Sequence, residues 1–72
     1  MAIGRIATSF TAPAGARAEK HRSEIRYVIC EEWDGEHDRY AGRFYICDEK
    51  HLESIGDRVQ FPNNLMVMLP ST

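Results

Sequence analysis

Two neighbouring stretches, EIRYVICEEW (residues 24–33) and RYAGRFYICD (residues 39–48), decide the fold of this chain. Both are rich in β-branched and aromatic residues, and their apolar side chains recur at every second position, as they do in β-strands with two different faces. The short segment between them allows a tight connection. The sequence therefore predicts a central β-hairpin over residues 24–47, with residues 36–37 at its tip.

The tip position sets which residues face each other across the hairpin. The expected pairs are Trp33 with Tyr40, Ile29 with Phe44, and Tyr27 with Ile46. One face then carries the apolar set expected to form the core, namely Ile25, Tyr27, Ile29, Trp33, Tyr40, Phe44 and Ile46. The opposite face carries Arg26, Val28, Cys30, Ala41, Arg43, Tyr45 and Cys47. Since this second face is apolar in its middle, we expect residues 1–12 or a second copy of the chain to cover it. A homodimer is the prediction we favour.

The flanking segments complete a small β-rich domain. Residues 3–11 predict an edge strand with Ile6 and Phe10 on one face, followed by a loop with a helical turn over residues 16–21. Residues 49–55 predict a short helix with Asp48 as its N-cap and Gly56 at its C-terminal end. The stretches DRVQF and LMVML predict a C-terminal hairpin over residues 57–69. The expected fold is mainly β, on the borderline of α+β, with about five antiparallel strands in a meander or half-open small barrel.

Length and composition limit the classes of function. The 72 residues make one domain, 1–72, with 9 basic and 11 acidic groups and a net charge of −2. A nucleic-acid-binding domain is usually basic, so this balance favours other partners. No apolar run reaches the length of about 18 residues that a membrane span needs, and the first residues do not resemble a secretory signal. We expect a cytoplasmic protein.

The stretch EEWDGEHD, residues 31–38, holds five carboxylates and is the first place to look for a metal. Asp34, Glu36 and Asp38 alternate like the first ligands of a calcium loop, but Arg39 stands where such a loop needs Gly and Tyr45 where it needs Glu. A zinc site among Cys30, Cys47, His37 and His51 would need groups too far apart in an extended hairpin. We expect no metal and no cofactor.

The two cysteines and the histidines also give no catalytic pattern. In the expected register Cys30 and Cys47 lie about 13 Å apart, beyond disulfide reach, so free thiols are predicted. No phosphate-binding glycine loop, HExxH motif or nucleophile–base–acid spacing is present. We therefore predict that the protein is not an enzyme.

Binding to another macromolecule is the remaining class. The predicted contact residues are the acidic hairpin end and its tryptophan: Glu31, Trp33, Asp34, Glu36 and Asp38. They suit a protein or nucleoprotein with a basic surface. Replacing Asp34 and Glu36 by Lys is expected to leave stability within about 0.5 kcal/mol, because both are predicted to be exposed. The alternative is a nucleic-acid-binding small barrel that uses Arg26, Arg43 and Tyr45.

In size and composition the chain resembles small phage or mobile-element proteins that block bacterial defence complexes, anti-CRISPR proteins among them. Such proteins are short, often acidic and without enzymatic motifs. The resemblance implies an inhibitor that acts by binding, and it assigns no individual residue a role.

Overall fold

The computed structural model describes residues 1–13 and 24–69, which form a single open antiparallel sheet. Its strands are β1 (Ala2–Pro13), β2 (Glu24–Asp34), β3 (Arg39–Asp48), β4 (Glu53–Ile55), β5 (Arg58–Phe61) and β6 (Met66–Val67). Their order across the sheet is β4-β5-β1-β2-β3-β6. This confirms the mainly β fold, with six strands. The expected helical turn over 16–21 lies outside the described residues.

The central hairpin has the predicted tip but a shifted register. Trp33 faces Tyr40 as expected, whereas Ile29 faces Ile46 and Tyr27 faces Asp48. The cause is a bulge on β3 opposite β2 residue 32, where Gly42 takes a left-handed φ of 72°. The bulge displaces the pairing by two residues, and side chains alternate with period two. Each residue therefore keeps its predicted face, although its partner changes.

Strand β1 lies between β5 and β2, so it is not the edge strand that its sequence suggests. A bulge in β1 separates Ile6, which faces Cys30, from Thr8, which faces Ile29. An extra residue moves the following side chains to the other face of the sheet. Ile6 and Phe10 consequently point to opposite faces, and the Phe10 ring stacks on Tyr27 with centroids 5.6 Å apart.

The core lies on the second face, which we expected residues 1–12 or a second copy of the chain to cover. Its buried side chains are Ala2, Val28, Cys30, Tyr45, Cys47 and Phe61, with Leu52 and Val59 packed against them. The face predicted as the core has buried Ile25 and Ile29, but Tyr27, Phe44 and Ile46 are only half-buried. Burial within one chain thus removes the reason for which a second copy was expected on the Val28–Cys47 face.

The sheet covers its own core because it curls. The rings of Tyr45 in β3 and Phe61 in β5 have centroids 6.1 Å apart. Two strands separate β3 from β5, and a flat sheet would place them about 14 Å apart. In addition, only residues 62–65 link β5 to β6, which pairs with β3. The strand order and the short link together bend the sheet around Phe61.

Of two further expectations for the C-terminal half, the helix is present for one turn with the predicted Asp48 cap, and the hairpin was wrong. The predicted helix over 49–55 is one turn of 3₁₀ helix (Glu49–His51), capped by the Asp48 carboxylate, which accepts from the Lys50 N–H. Residues 53–55 form β4 instead, and Gly56, with φ 60°, makes the β4–β5 turn. No C-terminal hairpin forms over 57–69, because β5 pairs with β4 and β1 while β6 pairs with β3. Within the described ranges, no helix has the length and apolarity to cross a membrane.

Candidate functional site

The tip of the β2–β3 hairpin is held in shape by one carboxylate. Oδ1 of Asp34 accepts hydrogen bonds from the backbone N–H groups of Glu36 and His37, at 3.1 and 3.3 Å. Its Oδ2 lies 2.7 Å from Nδ1 of His37. Asp38 completes the turn in a left-handed conformation with φ 53°, which Asp tolerates better than most residues. The turn is therefore defined by its own side chains.

Asp34 is a structural residue of the tip more than a free contact residue. Its side chain is only 18% exposed. The side-chain hydrogen bond with His37 is the main cause that lowers the pKa of Asp34, and the backbone N–H groups act in the same direction. The premise that Asp34 is exposed is wrong, and because Lys cannot accept these bonds we now expect Asp34→Lys to destabilise the tip.

The other carboxylates of residues 31–38 divide into two classes. Glu31 pairs with Arg5 at 3.0 Å and accepts from the Gly42 N–H at 3.1 Å, and its side chain is only 12% exposed. Glu32 pairs with Nε of Arg43 at 2.7 Å. Glu36 and Asp38, in contrast, are exposed at the tip, and no described residue forms an ion pair with either. The acidic surface is smaller than the sequence suggests, and Glu36 and Asp38 are its exposed charges.

Beside the tip, two arginines from other strands lie on the hairpin's aromatic rings; we name this the aromatic–arginine cluster. It consists of Trp33, Tyr40, Arg5 and Arg58. The Trp33 and Tyr40 rings meet edge to face with centroids 5.0 Å apart. The Arg5 guanidinium lies 3.8 Å from the Tyr40 centroid, and that of Arg58 lies 4.2 Å from the Trp33 centroid. The cluster joins the hairpin end to β1 and β5.

Sequence reasoning missed both arginines of this cluster. Arg5 and Arg58 are far from the hairpin along the chain, and only the sheet order brings β1 and β5 to its side. Nε of Arg58 is buried and has no hydrogen-bond partner among the described residues. Cation–π contacts of this kind contribute about 0.5–1 kcal/mol each at partly exposed sites. They hold Trp33 in place, so that its ring is half-buried and is not presented as a free anchor.

The alternative nucleic-acid set is not assembled into one surface. Tyr45 is buried in the core against Phe61, so its ring is not open to a base. Arg26 is exposed, with Nε bonded to Glu49 at 2.7 Å and one terminal nitrogen bonded to Ser9. The ion pair with Glu32 raises the pKa of Arg43 and occupies its Nε.

The two cysteines are free and buried, as predicted, but they lie closer together than the expected separation of about 13 Å. The shifted register places Cys30 opposite Tyr45 and Cys47 opposite Val28, so the cysteines are diagonal neighbours on one face. Burial raises the pKa of Cys30 to about 11, and the neighbouring Cys47 adds to the shift. Burial likewise raises the pKa of Cys47. Both thiols are therefore protonated and unreactive near neutral pH.

Potential metal ligands converge at one place in the described part of the chain. Ligand atoms of Asp34, Glu36 and His37 lie within 4.8 Å of one another. Neither the alternating set with Asp38 nor the set of two cysteines and two histidines is gathered among the described residues. The Asp34 oxygens already bind the turn, in which Glu36 takes part through its backbone N–H and His37 through its N–H and Nδ1.

An apolar groove lies at the other end of the hairpin from the tip. Its volume is about 510 Å³. Its apolar walls are Met1, Ile25, Tyr27, Ile46, Pro62 and Leu65. Asp48, Lys50 and His51 stand among the residues at this site, and charges of both signs are thus present. The groove is large enough for a small ligand, yet its mixed charges select no ligand class.

Comparison with known proteins gives no relative. No family model, no curated protein and no solved structure matches this chain. Its function must be inferred from its own residues, and the tip is the region where exposed charge and defined shape coincide.

Proposed function

We propose that this chain is a non-enzymatic binding protein whose acidic hairpin tip engages a basic surface of a protein or nucleoprotein. The observation that carries the proposal is the pair Glu36 and Asp38, exposed and without a described ion-pair partner on a turn that Asp34 fixes. Glu31 and Glu32, in contrast, are paired with arginines of the same chain.

The rigidity of the tip supports a binding role. A loop that is ordered before binding loses less conformational entropy when the complex forms. Here the order comes from three hydrogen bonds to Asp34 and from the aromatic–arginine cluster at the base of the hairpin. The tip therefore presents its charges in a fixed geometry, and Trp33 contributes by packing in the aromatic–arginine cluster at the base of the hairpin.

An inhibitor of a larger complex is the kind of binding protein that we favour. Exposed rim charges mainly steer the approach of a partner and raise the association rate. A small acidic protein with this property suits the blocking of a basic, nucleic-acid-binding surface, as in the phage and anti-CRISPR proteins that it resembles in size. The free thiols fit a reducing compartment such as the cytoplasm.

The test removes the two tip charges and compares the result with an equal change elsewhere. The variant carries Glu36→Lys with Asp38→Asn, because Asn keeps the tolerance of the left-handed backbone at residue 38. The control carries Glu53→Lys with Asp57→Asn, an identical change of charge at exposed positions of β4 and its turn. Partners are captured from a host lysate, identified, and then measured with purified components.

We expect the tip variant to slow association with the captured partner by about tenfold at low salt, whereas the control stays close to wild type. The difference should shrink as salt is added, because salt screens exposed charges. Equal association rates for the tip variant and wild type would contradict the proposal. So would tight, steeply salt-dependent binding of the wild type to generic DNA or RNA.

A further inference from the structure

Among the described strands, β6 lies at an open edge of the sheet, and this edge is unusually apolar. Of the large side chains there, Met68 is 95% exposed, Met66 60% and Leu65 59%. From Val59 to the last residue the sequence has no charged group. Edge strands of monomeric proteins are usually protected by Lys, Pro or a bulge, and β6 shows none of these among residues 65–69.

The register shows which backbone groups of this edge are directed away from β3. The Ile46 N–H donates to the Leu65 carbonyl at 3.0 Å, and Phe44 faces Val67. In an antiparallel pair, the residues bonded to one neighbour alternate with those directed to the other side. The N–H and C=O groups of Met66 and Met68 therefore point away from β3, at the spacing that a further strand requires.

We propose that β6 pairs with β6 of a second copy of this chain, which extends the sheet across a twofold axis at Val67. Antiparallel pairing is the arrangement that a twofold axis produces. It sets Met66 of each copy opposite Met68 of the other, so that each outward N–H meets an outward C=O. The same axis places methionine against methionine, which buries exposed apolar surface without burying a charge.

A hollow beside the edge gives the second copy a place to pack. Its volume is about 170 Å³, and Gly42, Arg43 and Phe44 line it together with residues 66–69. If the β3–β6 pairing is continued by one residue, Arg43 lies opposite Met68. In the proposed dimer Met66 of the second copy also lies opposite Met68, so it is placed next to the hollow. A flexible methionine suits an irregular recess of this size. A charged partner strand would gain little here, because residues 65–69 carry no charge and the Arg43 guanidinium is already paired with Glu32.

The other open edge of the sheet makes a matched comparison. Strand β4 likewise has a neighbour on only one side among the strands that the structure describes, and its residues Glu53, Ser54 and Ile55 are all exposed. It carries a charge and a single large apolar side chain, which is the usual protection of an edge. Self-association should therefore use β6 and leave β4 open.

The experiment is sedimentation of the purified chain from low micromolar concentration to about 1 mM, a test independent of any other partner. The short edge buries less than the roughly 800 Å² per subunit of a standard interface. We expect a reversible dimer with a dissociation constant between about 10 and 500 µM. Met68→Lys should weaken it at least about tenfold, and Ile55→Lys should leave it within about twofold.

A second variant examines the backbone bonds themselves. Met66→Pro removes an N–H that the chain's own sheet does not use, so it should weaken the dimer while the circular dichroism of the monomer is retained. A monomer at 1 mM would overturn the proposal. A dimer that Met68→Lys leaves unchanged, or that Ile55→Lys weakens equally, would overturn it as well. Met68→Lys keeps the test decisive even where Met66→Pro impairs folding, because residue 68 is almost fully exposed.

Discussion

Of the described glycines, Gly4 leaves the least room for a side chain, and replacing it by Ala is the sharpest test of the β1–β2 pairing. A Cβ atom added at Gly4 would lie 1.8 Å from the Glu31 carbonyl oxygen and 2.8 Å from its carbonyl carbon. Both atoms belong to the backbone, so no side-chain rotation can relieve the contact. The strand pair itself would have to move.

The size of the effect follows from that displacement. Carbon and carbonyl oxygen atoms normally come no closer than about 3.3 Å, so β1 would have to shift by about 1.5 Å at this residue. Overpacking a well-packed site costs about 1–3 kcal/mol, and a clash with backbone belongs at or above the upper end of this range. A chain of this length has about 3–5 kcal/mol of stability in total. Gly4→Ala should therefore remove most of it.

The assay is urea and thermal unfolding followed by Trp33 fluorescence and circular dichroism. We expect the melting temperature of Gly4→Ala to fall by more than about 12 °C. The control is Gly35→Ala, whose added Cβ would meet nothing nearer than the Trp33 ring at 3.7 Å. It should be neutral or raise stability by up to about 1 kcal/mol through the unfolded state. A Gly4→Ala protein within 1 kcal/mol of wild type would show that β1 does not pair as described.

Three further predictions follow from the site and the core. Burial raises the pKa of Cys30 from 9.0 to about 11, so the contribution of this thiol to stability is complete below pH 9 and is lost as the pH rises toward 11. The urea midpoints at pH 8 and pH 10.5 should therefore differ less in Cys30→Ala than in wild type. The pKa of Asp34 is lowered below 3.8, so the tip keeps its order above that pH and loses it as the pH falls through the lowered value; the His37 amide resonance should report this change, and Asp34→Asn should abolish the titration. Arg58→Met should change the free energy of unfolding by less than about 1 kcal/mol. The substitution loses the contact with Trp33, but it also removes the cost of burying an Nε group that has no hydrogen-bond partner among the described residues. A loss of stability above about 2 kcal/mol would argue against this balance.

Local sequence pattern was sufficient for the central hairpin and for the face on which each of its side chains lies. Alternation of apolar residues is a local property, and the bulge at Gly42 displaced the pairing by an even number of residues. The pairing partners could not be predicted, because the sequence does not show whether a glycine in a strand forms a bulge. The stretch around Leu52 was ambiguous for a similar reason, because a few apolar residues fit one helical turn and a short strand equally well.

The choice of core face and the composition of the site depended on contacts far apart in sequence. The Val28 face is the core because Phe61 and Ala2 cover it, and no local pattern brings those residues to β2. The carboxylate cluster at residues 31–38 was visible in the sequence. Its division into paired and exposed charges was not, because Arg5 reaches Glu31 only through the sheet order.

The two proposals together constrain the kind of partner. Strand β3 runs antiparallel to β6, and a twofold axis at Val67 makes the β3 strands of the two copies antiparallel to each other. The hairpin tips with Glu36 would then point to opposite ends of the dimer. One compact basic surface could contact only one tip, so dimerisation would add no avidity there. A partner that is repeated, or that places two basic surfaces apart, would gain from both tips, and Met68→Lys should then weaken binding to it without any change at the tip.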